Sequence, residues 1–389
     1  MNNAETEHRF GSGGTPSGSR TRESNIELFR IITMLLIVAH HYVVNSGLTT
    51  SDGPIFMDSL SWRSLFLLFF GAWGKIGINC FVLITGFFMC KVGISSHKFF
   101  KLLFQVLFYR WIIALIFLCT GYQAFSLPQL LKILVPISDV GTGFTNAFLV
   151  FFLFIPFLSI GVNSMNEKQH LLLLVWAFFT YVFLGSIPGF SVTMNYVSWF
   201  SVLFLIASYI RLYPKKIYGN VVIWGILLCL ILVLDLGSIV IGTYLGNHPY
   251  FFVMDSNAFL AVITGICAFM FFRNLKIKNS KVINTLAMST FGVFCIHTNS
   301  ESMRKWLWKD TIDCVGHYDA PLMPLYAIGC VMGVFIVCSI IDLLRIYLIE
   351  KPFFKLWDKK WEGIVAKWHK MEIYILRKIG VEDSERTEL

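Results

Sequence analysis

A chain of 389 residues that is 56% hydrophobic, 16% aromatic and only 14% charged, with a mean hydropathy of +0.68, holds more apolar surface than a soluble core buries. It reads as an all-α, polytopic membrane protein. The formal net charge of +9 follows from Lys and Arg retained beside the inner leaflet, where they attract lipid headgroups, and it does not point to nucleic acid. The nine cysteines show no metal-ligand spacing and no disulfide framework.

Residues 1–24 are polar and rich in Gly and Ser, which predicts a disordered cytoplasmic tail. Apolar runs then recur near 25–46, 65–90, 101–121, 145–161, 169–187, 195–211, 220–243, 252–272, 282–300 and 324–349. These predict about ten transmembrane helices at the ~20 residues a bilayer requires. Alternate turns hold the cations Lys91, Lys98, Lys101, Lys168, Arg211, Lys215, Lys216, Arg273, Lys276, Lys278 and Lys281, so both termini are expected in the cytoplasm. The ten-helix domain is expected over 25–350, followed over 351–389 by a cytoplasmic amphipathic helix and an acidic tail. In that last segment Phe354, Trp357, Trp361, Ile364, Trp368, Met371 and Ile375 recur at steps of three and four between lysines, a pattern suited to the inner leaflet.

The first apolar run, RESNIELFRIITMLLIVAHHYVVN, carries Glu27, Arg30, His40, His41 and Asn45 where a simple anchor would carry leucine. An ionisable group at mid-bilayer costs at least ~2.5–3.5 kcal/mol and normally faces a protein interior or a wet cavity. At ~100° per residue His41 follows Arg30 by about three turns, on the same face and ~16 Å further along the axis, whereas His40 lies roughly 80° away. A neutral imidazole suits proton removal from a hydroxyl, and a guanidinium suits a phosphate or thioester oxygen. Against these stand helix packing for His41 and a simple Glu27–Arg30 ion pair that makes the arginine tolerable in the membrane.

Further along, Lys75 sits at the outer surface if the second helix starts near Trp73 and near the midplane if it starts at Leu65; a snorkelling lysine is the competing reading. Gly71, Gly74 and Gly77 permit close helix approach. Arg110, near mid-depth in the third helix, lines a donor path or pairs with Asp235 or Asp342. His297 reaches the same outer third as His41, or caps a helix end. Asp255 and Asn257 offer groups for sugar hydroxyls or a polar helix end.

These motifs resemble the acyltransferase-3 family of integral membrane O-acyltransferases. The resemblance rests on Glu27-Leu28-Phe29-Arg30 with His41, on the block Gly74 to Phe88 with Asn79 inside it and Thr85 where Ser is usual, and on weaker matches at Phe108-Tyr109, Pro156-Phe157-Leu158, Ser289 to His297 and Ile349-Glu350-Lys351-Pro352. It spans roughly 22–352 and is closest to the surface-polysaccharide branch. Asn146-Ala147-Phe148 replaces an expected Trp-Phe pair. The resemblance implies an acetyl-CoA donor on the cytoplasmic side, a glycan hydroxyl as acceptor, no bound cofactor or metal, and a multi-pass place in the cell membrane. It makes Arg30 and His41 the essential pair and favours a functional Lys75; with the reading of the residues themselves, Glu27, Lys75, Arg110, His297, Asn79 and Thr85 are the candidate donor or substrate contacts. The rival class is a secondary transporter, which predicts an internal repeat or broken helices in corresponding halves. A haem held by His41 and His297 would give a Soret band.

Overall fold

The computed structural model describes residues 22–91, 95–127, 133–134, 143–187, 192, 194–246, 249–250, 252–253, 255–358, 360, 363 and 371. Residues 1–21 of the tail expected over 1–24 lie outside them, as do Trp361, Ile364, Trp368 and Ile375 of the expected amphipathic helix. Among the described residues there is no strand. The helices are α1 Ser24–Val44, α2 Pro54–Met57, α3 Trp62–Gly71, α4 Gly74–Met89, α5 Ser96–Cys119, α6 Phe144–Ser164, α7 Glu167–Ala177, α8 Tyr196–Leu212, α9 Val221–Tyr244, α10 Phe259–Asn274, α11 Lys281–Met288, α12 Thr290–His297, α13 Glu301–Lys305 and α14 Met323–Arg345.

Seven helical segments among the described residues are long and apolar enough to cross a membrane: Ser24–Val44, Trp62–Met89, His97–Cys119, Phe144–Ser164, Glu167–Ser186, Val221–Tyr244 and Met323–Asp358. The runs expected at 195–211 and 252–272 form α8 and α10, apolar but only 17 and 16 residues long. Residues 255–258 instead close a turn, with Ala258 N–H donating to the Asp255 carbonyl at 3.0 Å. The run expected at 282–300 is divided between α11 and α12 at Ser289, whose hydroxyl turns back to the Leu286 carbonyl at 2.7 Å and competes with helical continuation.

Within residues 23–343, α1 and the α3–α4 stretch are the interior elements. In their apolar windows 61% and 72% of residues are buried, against 17% for α9 and 11% for Glu167–Ser186. α9 leaves Val222, Ile226, Leu230, Val233 and Ile241 exposed, the side a membrane chain turns to lipid. α3 and α4 approach α1 closely. A β-carbon on Gly71 would stand 2.7 Å from Val43 Cβ, one on Gly77 2.6 Å from Ile37 Cγ1, and one on Gly74 would fall on the His40 ring. The glycine steps thus let two backbones meet where any larger side chain would hold them apart. Within the apolar stretch Trp62–Met89 the chain breaks between α3 and α4, and Lys75 stands in the first turn of α4, directly after its N-cap Trp73.

On the other side of α12, a β-carbon on Gly292 would fall on the Asp342 carboxylate. That buried carboxylate accepts from the Tyr109 hydroxyl at 2.7 Å and from Gln105 Nε2 at 3.2 Å. One buried acid therefore joins α5, α12 and α14. Beyond residue 343, outside this unit, Arg345 donates to Glu350 at 2.5 Å.

Candidate functional site

The far end of α1 brings His41 against the last residue of α12. His41 Nδ1 and His297 Nε2 are 3.0 Å apart, and His297 Nδ1 lies 2.6 Å from the Val293 carbonyl oxygen. A carbonyl only accepts, so His297 Nδ1 carries the hydrogen. In the neutral ring Nε2 is then an acceptor, which requires a hydrogen on His41 Nδ1 and leaves the lone pair of His41 on Nε2. The tautomer of the half-buried His41 is set by a ring that is itself fully buried. At 3.0 Å, with a donor on one ring facing an acceptor on the other, the pair is a hydrogen bond. Trp308 and Phe294 stand edge-on to the His297 ring at 6.4 and 6.0 Å, and Trp308 also meets Tyr42 at 5.9 Å.

His40 is oriented differently. Its Nδ1 donates to the Gly71 carbonyl at 2.6 Å, across the glycine contact with α3, so it takes no part in the His41–His297 pair. Lys75 donates to the Tyr196 hydroxyl at 2.7 Å. Arg30 Nη1 lies 3.6 Å from Glu27 Oε2, with the arginine side chain 33% exposed and the glutamate 9%. The ion pair expected from their spacing is present.

The remaining candidates are not gathered around His41. Asn79 is fully buried: its Nδ2 donates to the carbonyls of Ser256 and Ala261 at 2.7 and 3.1 Å, and its Oδ1 accepts from Trp199 Nε1 at 2.9 Å. It clamps α4 to α8 and α10. Asn79→Ala is expected to leave these partners unsatisfied and lower stability by about 1–3 kcal/mol, measured as a fall in the melting temperature of the detergent-solubilised protein. Thr85 turns its hydroxyl to the Phe81 carbonyl of its own helix at 2.9 Å. Arg110 is half-buried on α5; of the two carboxylates weighed for it, Asp235 accepts from Thr264 at 2.7 Å and Asp342 from Tyr109 and Gln105. Asn257 donates to the Tyr181 carbonyl at 2.8 Å, and Asp255 is exposed. Tyr196, Trp308 and the seat of His40 on Gly71 were not legible in the sequence, because each contact joins elements remote along the chain.

A family model described as an acyltransferase domain, acyltransferase 3, matches residues 23–342. The chain belongs to the acyltransferase-3 family. Membership gives the activity class, acyl transfer, and the apolar helices fit a membrane enzyme. No curated protein and no solved structure gives a significant match.

Proposed function

We propose that this acyltransferase is a multi-pass enzyme of the cell membrane, with ten spans and both termini cytoplasmic. It moves an acyl group, an acetyl, from acyl-CoA to a hydroxyl of a cell-surface or exported glycan. The observation that carries the choice of base is the hydrogen-bond chain from the Val293 carbonyl through His297 to His41. His41 Nε2 takes the proton from the acceptor hydroxyl as its oxygen attacks the thioester carbonyl. The carbon–sulfur bond then breaks, and the imidazolium returns the proton to the departing thiolate. Through the reaction His297 Nε2 continues to accept from His41 Nδ1, which keeps the ring aimed and stabilises its charged form. Arg30, about three turns nearer the start of α1, serves the donor side.

Mass spectrometry of surface polysaccharide from cells with and without this chain tests the activity. Loss of one acetyl mass on deletion is the expected result, and identical glycans would sink the proposal. Arg30→Lys is expected to raise the donor KM even though charge is kept, because an ammonium cannot make a planar two-pronged contact; steady-state kinetics against acetyl-CoA would measure it. For topology, reporter fusions at 211–219 and 273–281 are expected to read cytoplasm and those at 47–60 and 301–320 the exterior. An exterior signal from 273–281 would overturn the orientation.

A further inference from the structure

The opposite end of the bundle from His41 carries a pair of arginines that the reaction above does not use. Arg211, at the end of α8, and Arg273, at the end of α10, both lie over the ring of Phe87, with guanidinium carbons 4.8 and 4.7 Å from its centroid. The local packing explains how they arrive there. Gly86 lets α8 come close, since a β-carbon on it would already meet Ala207 Cβ and Phe204 Cα at 3.0 Å, and Arg211 is the next residue on the Ala207 face, one turn on. Phe269 packs on Phe87 at 5.3 Å, and Arg273 follows Phe269 by one turn in the same way. Phe87 itself is 3% exposed, so both charged side chains are drawn inward from the surface onto a buried ring.

Among the described residues neither arginine forms an ion pair. Arg273 has only the Met270 sulfur, at 4.0 Å, and Glu23, the carboxylate whose charge reaches it, is exposed at the start of α1. The stretches 211–219 and 273–281 contain no Asp or Glu, and the one cation in them that meets a carboxylate is Lys215, on Glu167 at 2.5 Å. Retention of positive charge in an inner loop needs only solvated lysines; it does not require two guanidiniums on one ring. Like charges brought together repel, and an anion between or beside them removes that repulsion. Planar guanidiniums held by stacking are the groups that recognise phosphate in a fixed geometry. The same helix ends continue into a cleft of ≈ 620 Å³ whose lining includes the cations Lys216 and Lys276 and no carboxylate.

We infer that Arg211 and Arg273, braced on Phe87, form a binding site for a phosphate group at the end of the bundle remote from His41. Two sources share that chemistry: the phosphates of an acyl-CoA donor, which rests on the function proposed above, and the headgroup of a phospholipid. Asn25, which donates to the Arg273 carbonyl at 2.9 Å, lies ~24 Å from His41 along α1 at ~1.5 Å per residue. That is a span of the order of an extended phosphopantetheine arm.

The test uses the full chain in nanodiscs, with Arg211→Gln, Arg273→Gln, the double variant, the charge-preserving Arg211→Lys/Arg273→Lys pair, and Lys278→Gln as a control on the same loops. CoA and pantetheine binding are measured by calorimetry, and retention of phosphatidylglycerol by native mass spectrometry. If the phosphate is the donor's, each Gln variant weakens CoA binding by ~10-fold or more, the Lys pair weakens it less, and pantetheine binding and the control are unchanged. If it is the lipid's, CoA binding stays as in wild type and the double variant loses retained phosphatidylglycerol. Either result supports a phosphate site and names its source. A double variant that elutes as a monodisperse peak and matches wild type in both CoA binding and lipid retention overturns it, as does a control that weakens as much as the arginine variants. Should wild type itself bind no CoA, the donor reading fails, while the lipid measurement still decides the site.

Discussion

Replacing His41 with alanine is expected to lower glycan acylation by ~10²–10⁴-fold, the usual worth of a general base. Expression and acyl-CoA binding should change little, because proton transfer contributes in the transition state and not in donor binding. The comparison that gives this meaning is His40→Ala. The two residues are neighbours on α1, with ring centroids 5.5 Å apart, yet His41 bonds to His297 and His40 to the Gly71 carbonyl. The His40 variant should therefore lose less activity, and its loss should follow whatever it does to the α1–α3 contact. A folded His41→Ala protein that acylates at the wild-type rate would falsify the assignment. A dead His40 variant beside a live His41 variant would do the same, because the catalytic ring would then be the wrong one.

His297→Ala removes the acceptor that fixes the His41 tautomer, and a rate loss of ~10–100-fold is expected, the scale on which an orienting partner usually counts. His297→Gln separates orientation from mere packing. A glutamine oxygen can still accept from His41 Nδ1–H, so this variant should recover a good part of the lost rate, whereas His297→Phe, which fills the space without accepting, should not. The measurement is kcat with donor and acceptor saturating, alongside a melting curve for each protein. Equal activity in the Gln and Phe variants would reduce His297 to a space-filling role.

Much of this protein was legible in the chain by itself. The membrane class follows from composition, since 56% hydrophobic residues with 14% charged can be reconciled only with lipid around the helices. The shared face of Arg30 and His41, the Glu27–Arg30 pair and the glycine contact of α4 follow from helical periodicity, which is a local property of the sequence. The same periodicity is silent on where an apolar run gives way: α10 starts only at Phe259, and the 282–300 run is divided at Ser289 because a hydroxyl there takes a carbonyl the helix would have used.

What tertiary structure alone decided is which remote groups meet. His41 and His297 are 256 positions apart, Lys75 and Tyr196 are 121 apart, and Asn79 is bound to residues on two other helices. No spacing rule relates such residues, because their approach is set by how whole helices pack and not by rotation along one axis. Thr85 and Asn79, singled out by motif, turn out to spend their hydrogen bonds inside the protein. Arg211 and Arg273 read in sequence as ordinary inner-loop cations, and only the packing of α4, α8 and α10 brings them onto one buried ring.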